Sequence, residues 1–148
     1  MKGLRIHPVR AQDKPAWAQL WKGYQTFYEV SLPEAVTEAN WARFFDAYEP
    51  MHALVAEHDG GLVGLVHYLF HRSTWMVAPT CYLQDLFAVP QVRGLGVGGA
   101  LIEAVYDCAR EAGLTRVYWN THETNATARR LYDRVAVRSG FIQYRRDL

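Results

Sequence analysis

Apolar residues alternate briefly at Leu4, Ile6 and Pro8-Val9, which predicts a short first strand. Asp13 followed by Pro15 is a helix-start signal, and Trp17, Leu20, Trp21, Tyr24, Phe27 and Tyr28 then recur at helical spacing to about Tyr28. A second helix is expected from Pro33 to about Tyr48, burying Val36, Trp41, Phe44 and Phe45. The period then shortens. Ala53 to Ala56 reads as a strand, Asp59-Gly60-Gly61 as a hairpin turn and Leu62 to Phe70 as the partner strand. Thr80 to Val89 is a further extended run, stopped by Pro90, which lacks the N–H a ladder needs. Ala100, Leu101, Ala104, Val105, Cys108 and Ala109 mark a third helix closed by Gly113. Arg116 to Thr121 is expected as a strand, Asn125 to about Arg134 as a fourth helix, and Phe141 to Arg146 as a last strand. The order β, α, α, β, β, β, α, β, α, β describes an α+β sheet protein, not a regularly alternating βαβ fold.

The chain's 148 residues favour a single domain over 1–148, and a hydrophobic content of 50% excludes global disorder. Sixteen basic and fifteen acidic residues give a formal net charge of +1, so a nucleic-acid partner is not expected. No stretch is long and apolar enough for a membrane span, and the opening MKGLRIHPVRAQDK has no apolar leader core, which points to a cytoplasmic protein. Cys81 and Cys108 form no C-x-x-C and lie in apolar-patterned segments, so both read as reduced, buried thiols. His67 and His71 share a strand face without a third ligand, and no metal is expected.

The densest local signal is Gln91-Val92-Arg93-Gly94-Leu95-Gly96-Val97-Gly98-Gly99-Ala100, between a strand end and a helix start. Glycines let backbone N–H groups converge, and a helix start adds unpaired donors and a favourable dipole, which together suit a pyrophosphate. Gly94, Gly96 and Gly99 satisfy G-x-G-x-x-G, but the next strand, Val117-Tyr118-Trp119-Asn120, offers no acidic residue for a ribose, so a dinucleotide fold is disfavoured. No Gly-Lys-Ser/Thr follows, which excludes a P-loop.

Arg93-Gly94-Leu95-Gly96-Val97-Gly98 instead resembles motif A of the GNAT superfamily of acetyl-CoA-dependent N-acetyltransferases. Tyr82 to Pro90 is similar to the strand before that loop in spermidine/spermine-type enzymes, and Asn125-x-x-Ala128-x-x-Leu131-Tyr132 is similar to motif B. The stretch from Leu131 to Arg146 is most similar to the yeast Hpa-type histone/polyamine acetyltransferases and their bacterial relatives. The resemblance implies a GNAT fold, with a mixed, mostly antiparallel sheet of six to seven strands flanked by four helices. It also implies acetyl-CoA as cosubstrate and direct transfer to a primary amine in a ternary complex. That amine is a small molecule, polyamine, amino acid or protein lysine. A homodimer packed through C-terminal strands is implied as well. The competing reading is a non-catalytic CoA- or nucleotide-binding module.

Carried over by residue, the resemblance puts the thioester arm on the backbone of Leu86, Phe87 and Ala88. The pyrophosphate falls on Arg93, Gly94, Leu95, Gly96, Val97, Gly98 and Gly99, with Asn125 and Ala128 as further cofactor contacts. Tyr132 falls at the general-acid position; a phenol of pKa ~10 is protonated at neutral pH and can protonate a departing thiolate. Gln84 stands where polyamine enzymes often carry Glu and has no titratable group, so with Tyr28 it is expected only to position substrate. Simple alternation turns Asp85 to the opposite strand face from Gln84. His122 and Glu123 follow the Trp119 strand, and no general base is named.

The first two helices combine aromatics with Glu29, Glu34, Glu38, Asp46 and Glu49, read either as a cation-binding mouth or as an ordinary amphipathic pair with its acids outside. Charge is split along the chain. Residues 1–89 hold seven basic and nine acidic side chains, residues 90–148 nine and six, so the positive excess accompanies the glycine loop.

Overall fold

A computed structural model describes all residues, 1–148. The chain order is β1 (Arg5–Pro8), α1 (Lys14–Phe27), α2 (Glu34–Phe44), β2 (Met51–His58), β3 (Gly61–His71), β4 (Thr80–Ala88), α3 (Val97–Glu111), β5 (Val117–Tyr118) and α4 (Ala126–Val135). The strands form one sheet in chain order, antiparallel from β1 to β4 and parallel between β4 and β5.

β2 is apolar at consecutive positions because both faces are covered. Leu54 and Ala56 join Val66, Tyr68 and Leu83 under Leu101, Ile102 and Val105 of α3. Ala53 and Val55 join Leu65 and Phe87 under Trp17, Leu20 and Trp21 of α1. The β2–β3 hairpin turns on Asp59 and Gly60, with φ of 51° and 77°, the left-handed pair that a two-residue turn requires.

Four expectations need correction. The helix expected to run to Tyr48 ends at Phe44, because Asp46 Oδ1 accepts the Tyr48 N–H at 2.9 Å and closes a local turn before Pro50. Of its expected core residues, Trp41 and Phe44 are half-buried, whereas Val36 and Phe45 are exposed. The strand expected over Arg116 to Thr121 shrinks to Val117–Tyr118, since its pairing with β4 ends at Tyr82. The last strand, Phe141 to Arg146, does not form. Residues 137–148 have no regular structure, and Phe141, Ile142 and Tyr144 are exposed, with no ladder partner within the chain. The sheet therefore has five strands rather than six or seven.

The most consequential irregularity lies in β4. His67 pairs with Asp85 and Tyr68 with Leu83, leaving Gln84 as the extra residue of a β-bulge. The bulge resets the alternation: Cys81 and Leu83 lie in the α3 core, whereas Phe87 lies in the α1 core. It also bends β4 just beyond its last pairing with β5, so the two strands part and the edge of Leu83–Ala88 that faces β5 has no ladder partner.

Candidate active site

The glycine loop closes the open end of that gap. Gly94 and Gly96 take φ of 80° and 90°, a left-handed geometry that side chains rarely adopt. Gly96 caps α3, whose first intrahelical bond runs from the Ala100 N–H to the Gly96 carbonyl at 3.0 Å. The N–H groups of Val97, Gly98 and Gly99 precede that bond and have no intrahelical acceptor, which leaves a positive mouth at the end of β4. Leu131 of α4 reaches 3.4 Å and 3.5 Å from where a Cβ on Gly98 or Gly99 would stand, so those glycines let α4 approach the start of α3.

Arg93 has a second attachment. Its guanidinium lies 5.0 Å from the Phe27 ring centroid and 5.8 Å from that of Phe87, and its Nε donates to the Ala88 carbonyl at 3.3 Å. It ties the loop to the end of β4 and to the last turn of α1. Asn125 caps α4, accepting the Ala128 N–H at 3.4 Å. Arg129 donates to the Glu123 carbonyl at 2.7 Å, which occupies one nitrogen of that helix's basic pair.

Tyr132 projects from α4 toward the sheet, edge-on to Trp119 with ring centroids 5.4 Å apart. Burial, reinforced by nearby Tyr28, pushes its hydroxyl up to about 12, so it is a protonated donor throughout the neutral range. Tyr28 packs between Tyr24, Phe27 and His122. The structure thus gathers two of the expected residues, Tyr132 and Tyr28, around the β4–β5 gap.

Asp85 corrects the sequence reading. The bulge brings it to the same side as Gln84, and both line a half-enclosed cavity of about 290 Å³ between α1, α2 and strands β2 to β4. Asp85 is also the anchor of a buried chain that no sequence motif signalled. Trp17 Nε1–H donates to His67 Nε2 at 3.0 Å, and His67 Nδ1 lies 3.0 Å from Asp85 Oδ2. Indole nitrogen only donates, so His67 Nε2 is the acceptor and the imidazole proton sits on Nδ1, donated to the carboxylate. Burial first, and the nearby Asp85 carboxylate second, raise the pKa of Tyr24. By contrast Glu29, Glu34, Glu38 and Asp46 are exposed, so the acids of the first two helices lie outside and the cavity's one carboxylate comes from β4. His71 has a different partner from His67, lying 2.6 Å from the Tyr118 hydroxyl at the surface.

A strand that parts from its neighbour, a glycine-built helix start at the mouth and a half-buried phenol beside the gap suit a long anionic cosubstrate whose reactive end reaches the sheet. Over residues 17–136 the chain matches the acetyltransferase (GNAT) family. It is 35% identical over 144 residues to the D-amino-acid N-acetyltransferase HPA3 of Saccharomyces cerevisiae, covering 96% of this chain and 89% of that protein. It is 30% identical over 141 residues to the thialysine N-epsilon-acetyltransferase of Mus musculus, covering 89% and 82% respectively. In fold it matches the solved aminoglycoside N-acetyltransferase AAC(6')-Iy in complex with CoA, with a TM-score of 0.84 at 18% identity over 97% of this chain and 94% of that one. The chain belongs to the GNAT family of acetyltransferases, enzymes that carry an acetyl group from acetyl-CoA to an amine nitrogen.

Proposed function

We propose that residues 1–148 form one acetyltransferase domain that passes the acetyl group directly to a primary amine within a ternary complex, with Tyr132 as general acid. The pantetheine arm lies along the unpaired edge of Leu86, Phe87 and Ala88. The pyrophosphate rests on the loop from Arg93 to Gly99, with Asn125 and Ala128 flanking it. The amine lone pair attacks the thioester carbonyl carbon, the C–N bond forms as the C–S bond breaks, and the Tyr132 hydroxyl protonates the sulfur. The proton lost by the amine nitrogen returns to the phenolate through solvent, so the products are an amide and a free thiol. Gln84 and Tyr28 position the acceptor. The observation that carries this reading is the gap between β4 and β5, with Tyr132 beside it and the N–H groups of α3 at its mouth.

Acetyl-CoA and CoA at about one hundred times their Kd are expected to raise the melting temperature by about 5–10 °C, because binding adds about 2.7 kcal/mol to the folded state. NAD(P) is expected to leave it unchanged. Stabilisation by NAD(P) and not by CoA would overturn the assignment of the loop.

The same reading includes a homodimer built on the C-terminal segment. Phe141, Ile142 and Tyr144 alternate with polar residues only in part and lie exposed along one chain, as a strand does when its partner belongs to a second copy. Light scattering after size exclusion should give twice the chain mass; a monomer at micromolar concentration would remove the dimer. The two free thiols, Cys81 and Cys108, fit a reducing cytoplasm.

A further inference from the structure

The cavity beside Asp85 is at the small end of the range for ligand sites, about 300–1,000 Å³, and its wall is mainly aromatic and aliphatic, with Trp21, Tyr24 and Phe44 prominent. Its charge is unusually simple. Asp85 is the one carboxylate in the wall, and no Lys or Arg lines it. Neither imidazole there supplies a cation. His67 uses Nε2 to accept from Trp17, and burial lowers the pKa of His52, keeping it neutral. Trp21 adds a different feature: its indole Nε1–H is buried without a hydrogen-bond partner, while the residue itself forms part of the cavity wall. A buried donor left unpaired is unfavourable, and an acceptor atom on a ligand satisfies it.

Building on the acetyl-transfer reading, we infer that the acceptor is a small monoamine carried on an apolar or aromatic body, with no carboxylate beside the nitrogen, and that Asp85 determines this selectivity. The ammonium of the arriving amine meets Asp85, and the aromatic wall covers its body. An α-amino acid brings its own carboxylate within a few ångströms of Asp85. No cation in the wall compensates it, so it is desolvated and repelled together. Converting that carboxylate to an amide removes the charge and keeps an acceptor oxygen for Trp21. A polyamine meets the opposite mismatch, because its second and third ammonium groups find no further carboxylate. His67 and Trp17 are positioning residues, fixing the tautomer that donates to Asp85 and thereby the carboxylate's direction. The selectivity differs from the substrate named for the yeast relative, a D-amino acid.

Thiol release from saturating acetyl-CoA with the full chain tests this using four kinds of acceptor: phenethylamine, phenylalaninamide, phenylalanine of either hand, and spermidine. Phenethylamine and the amide are expected to exceed phenylalanine and spermidine by at least about tenfold in kcat/KM, mostly through KM. Asp85→Asn should raise the KM for phenethylamine by at least about tenfold while leaving the KM for acetyl-CoA within about twofold. Phenylalanine turned over as efficiently as its amide, or spermidine preferred to both, would overturn the inference. If no amine releases thiol, the acetyl-transfer reading fails. Selectivity is then decided by calorimetric titration of the amine and the amino acid into the protein, and equal binding, or binding of neither, overturns it.

Discussion

Replacing Tyr132 by Phe is expected to lower kcat by about 10²–10⁴-fold while the affinity for acetyl-CoA stays within about twofold. That loss corresponds to about 3–5 kcal/mol of transition-state stabilisation. The substitution removes one oxygen and keeps the ring, so the edge-on contact with Trp119 at 5.4 Å and the packing of α4 survive. The phenol is suited to the task because it is held protonated. With burial pushing it up to about 12, it does not ionise as pH rises from 7 to 10, and this group imposes no alkaline loss of rate in that range. The leaving thiol, of pKa near ~8.5, departs as a thiolate at the upper end of that range. The deficit of the Phe variant should therefore be greatest near pH 7 and shrink toward pH 10. A variant with wild-type turnover at pH 7 would take Tyr132 out of the mechanism. A deficit independent of pH would leave it a role other than proton donation.

Part of this site was visible in the linear pattern and part was not, and the division follows the range of the interactions. The glycine loop, its helix and the Asn125 cap are contiguous in sequence, and their geometry follows from local steric and capping rules that a pattern encodes. The cavity is built from α1, α2 and strands β2 to β4, and the chain from Trp17 through His67 to Asp85 spans 68 positions in sequence, so no spacing announces it. Asp85 was turned the wrong way for a specific reason. Period-two reasoning assumes an uninterrupted ladder, and the extra residue at Gln84 shifts every later side chain by one face. The C-terminal strand differs again, because its residues carry strand-forming character while no ladder partner for them lies within the chain. Charge behaved as a third case. The acids of the first two helices allow either a cation-binding mouth or an ordinary amphipathic pair; they face outward as in the second, and the carboxylate in the cavity is contributed by a strand.

Trp17 is the residue on which the α1 side of the sheet depends most, and Trp17→Ala is expected to destabilise the protein by about 3–5 kcal/mol from lost burial and the cavity left behind. Its side chain is fully buried, stacks on Trp21 at 6.5 Å, and meets Trp41 and Phe44 at 4.9 Å and 5.7 Å, so it links α1 to α2 above β3. The truncation also strips His67 Nε2 of its donor, and an unpaired buried acceptor costs about 1–3 kcal/mol more unless water enters. Against a total stability of about 5–15 kcal/mol this is a large fraction, so the urea midpoint should fall by at least about 1 M. Trp17→Phe separates the two contributions, since it keeps most of the ring packing and loses the N–H. Its stability should drop by the hydrogen-bond component alone, about 1–3 kcal/mol. Because Trp17 helps to fix His67 and so the direction of Asp85, the Phe variant should also raise the acceptor KM while leaving that of acetyl-CoA within about twofold. A variant with an unchanged urea midpoint would show that the indole is not what holds α1 and α2 to the sheet. An unchanged acceptor KM would show that His67 is fixed by Asp85 alone.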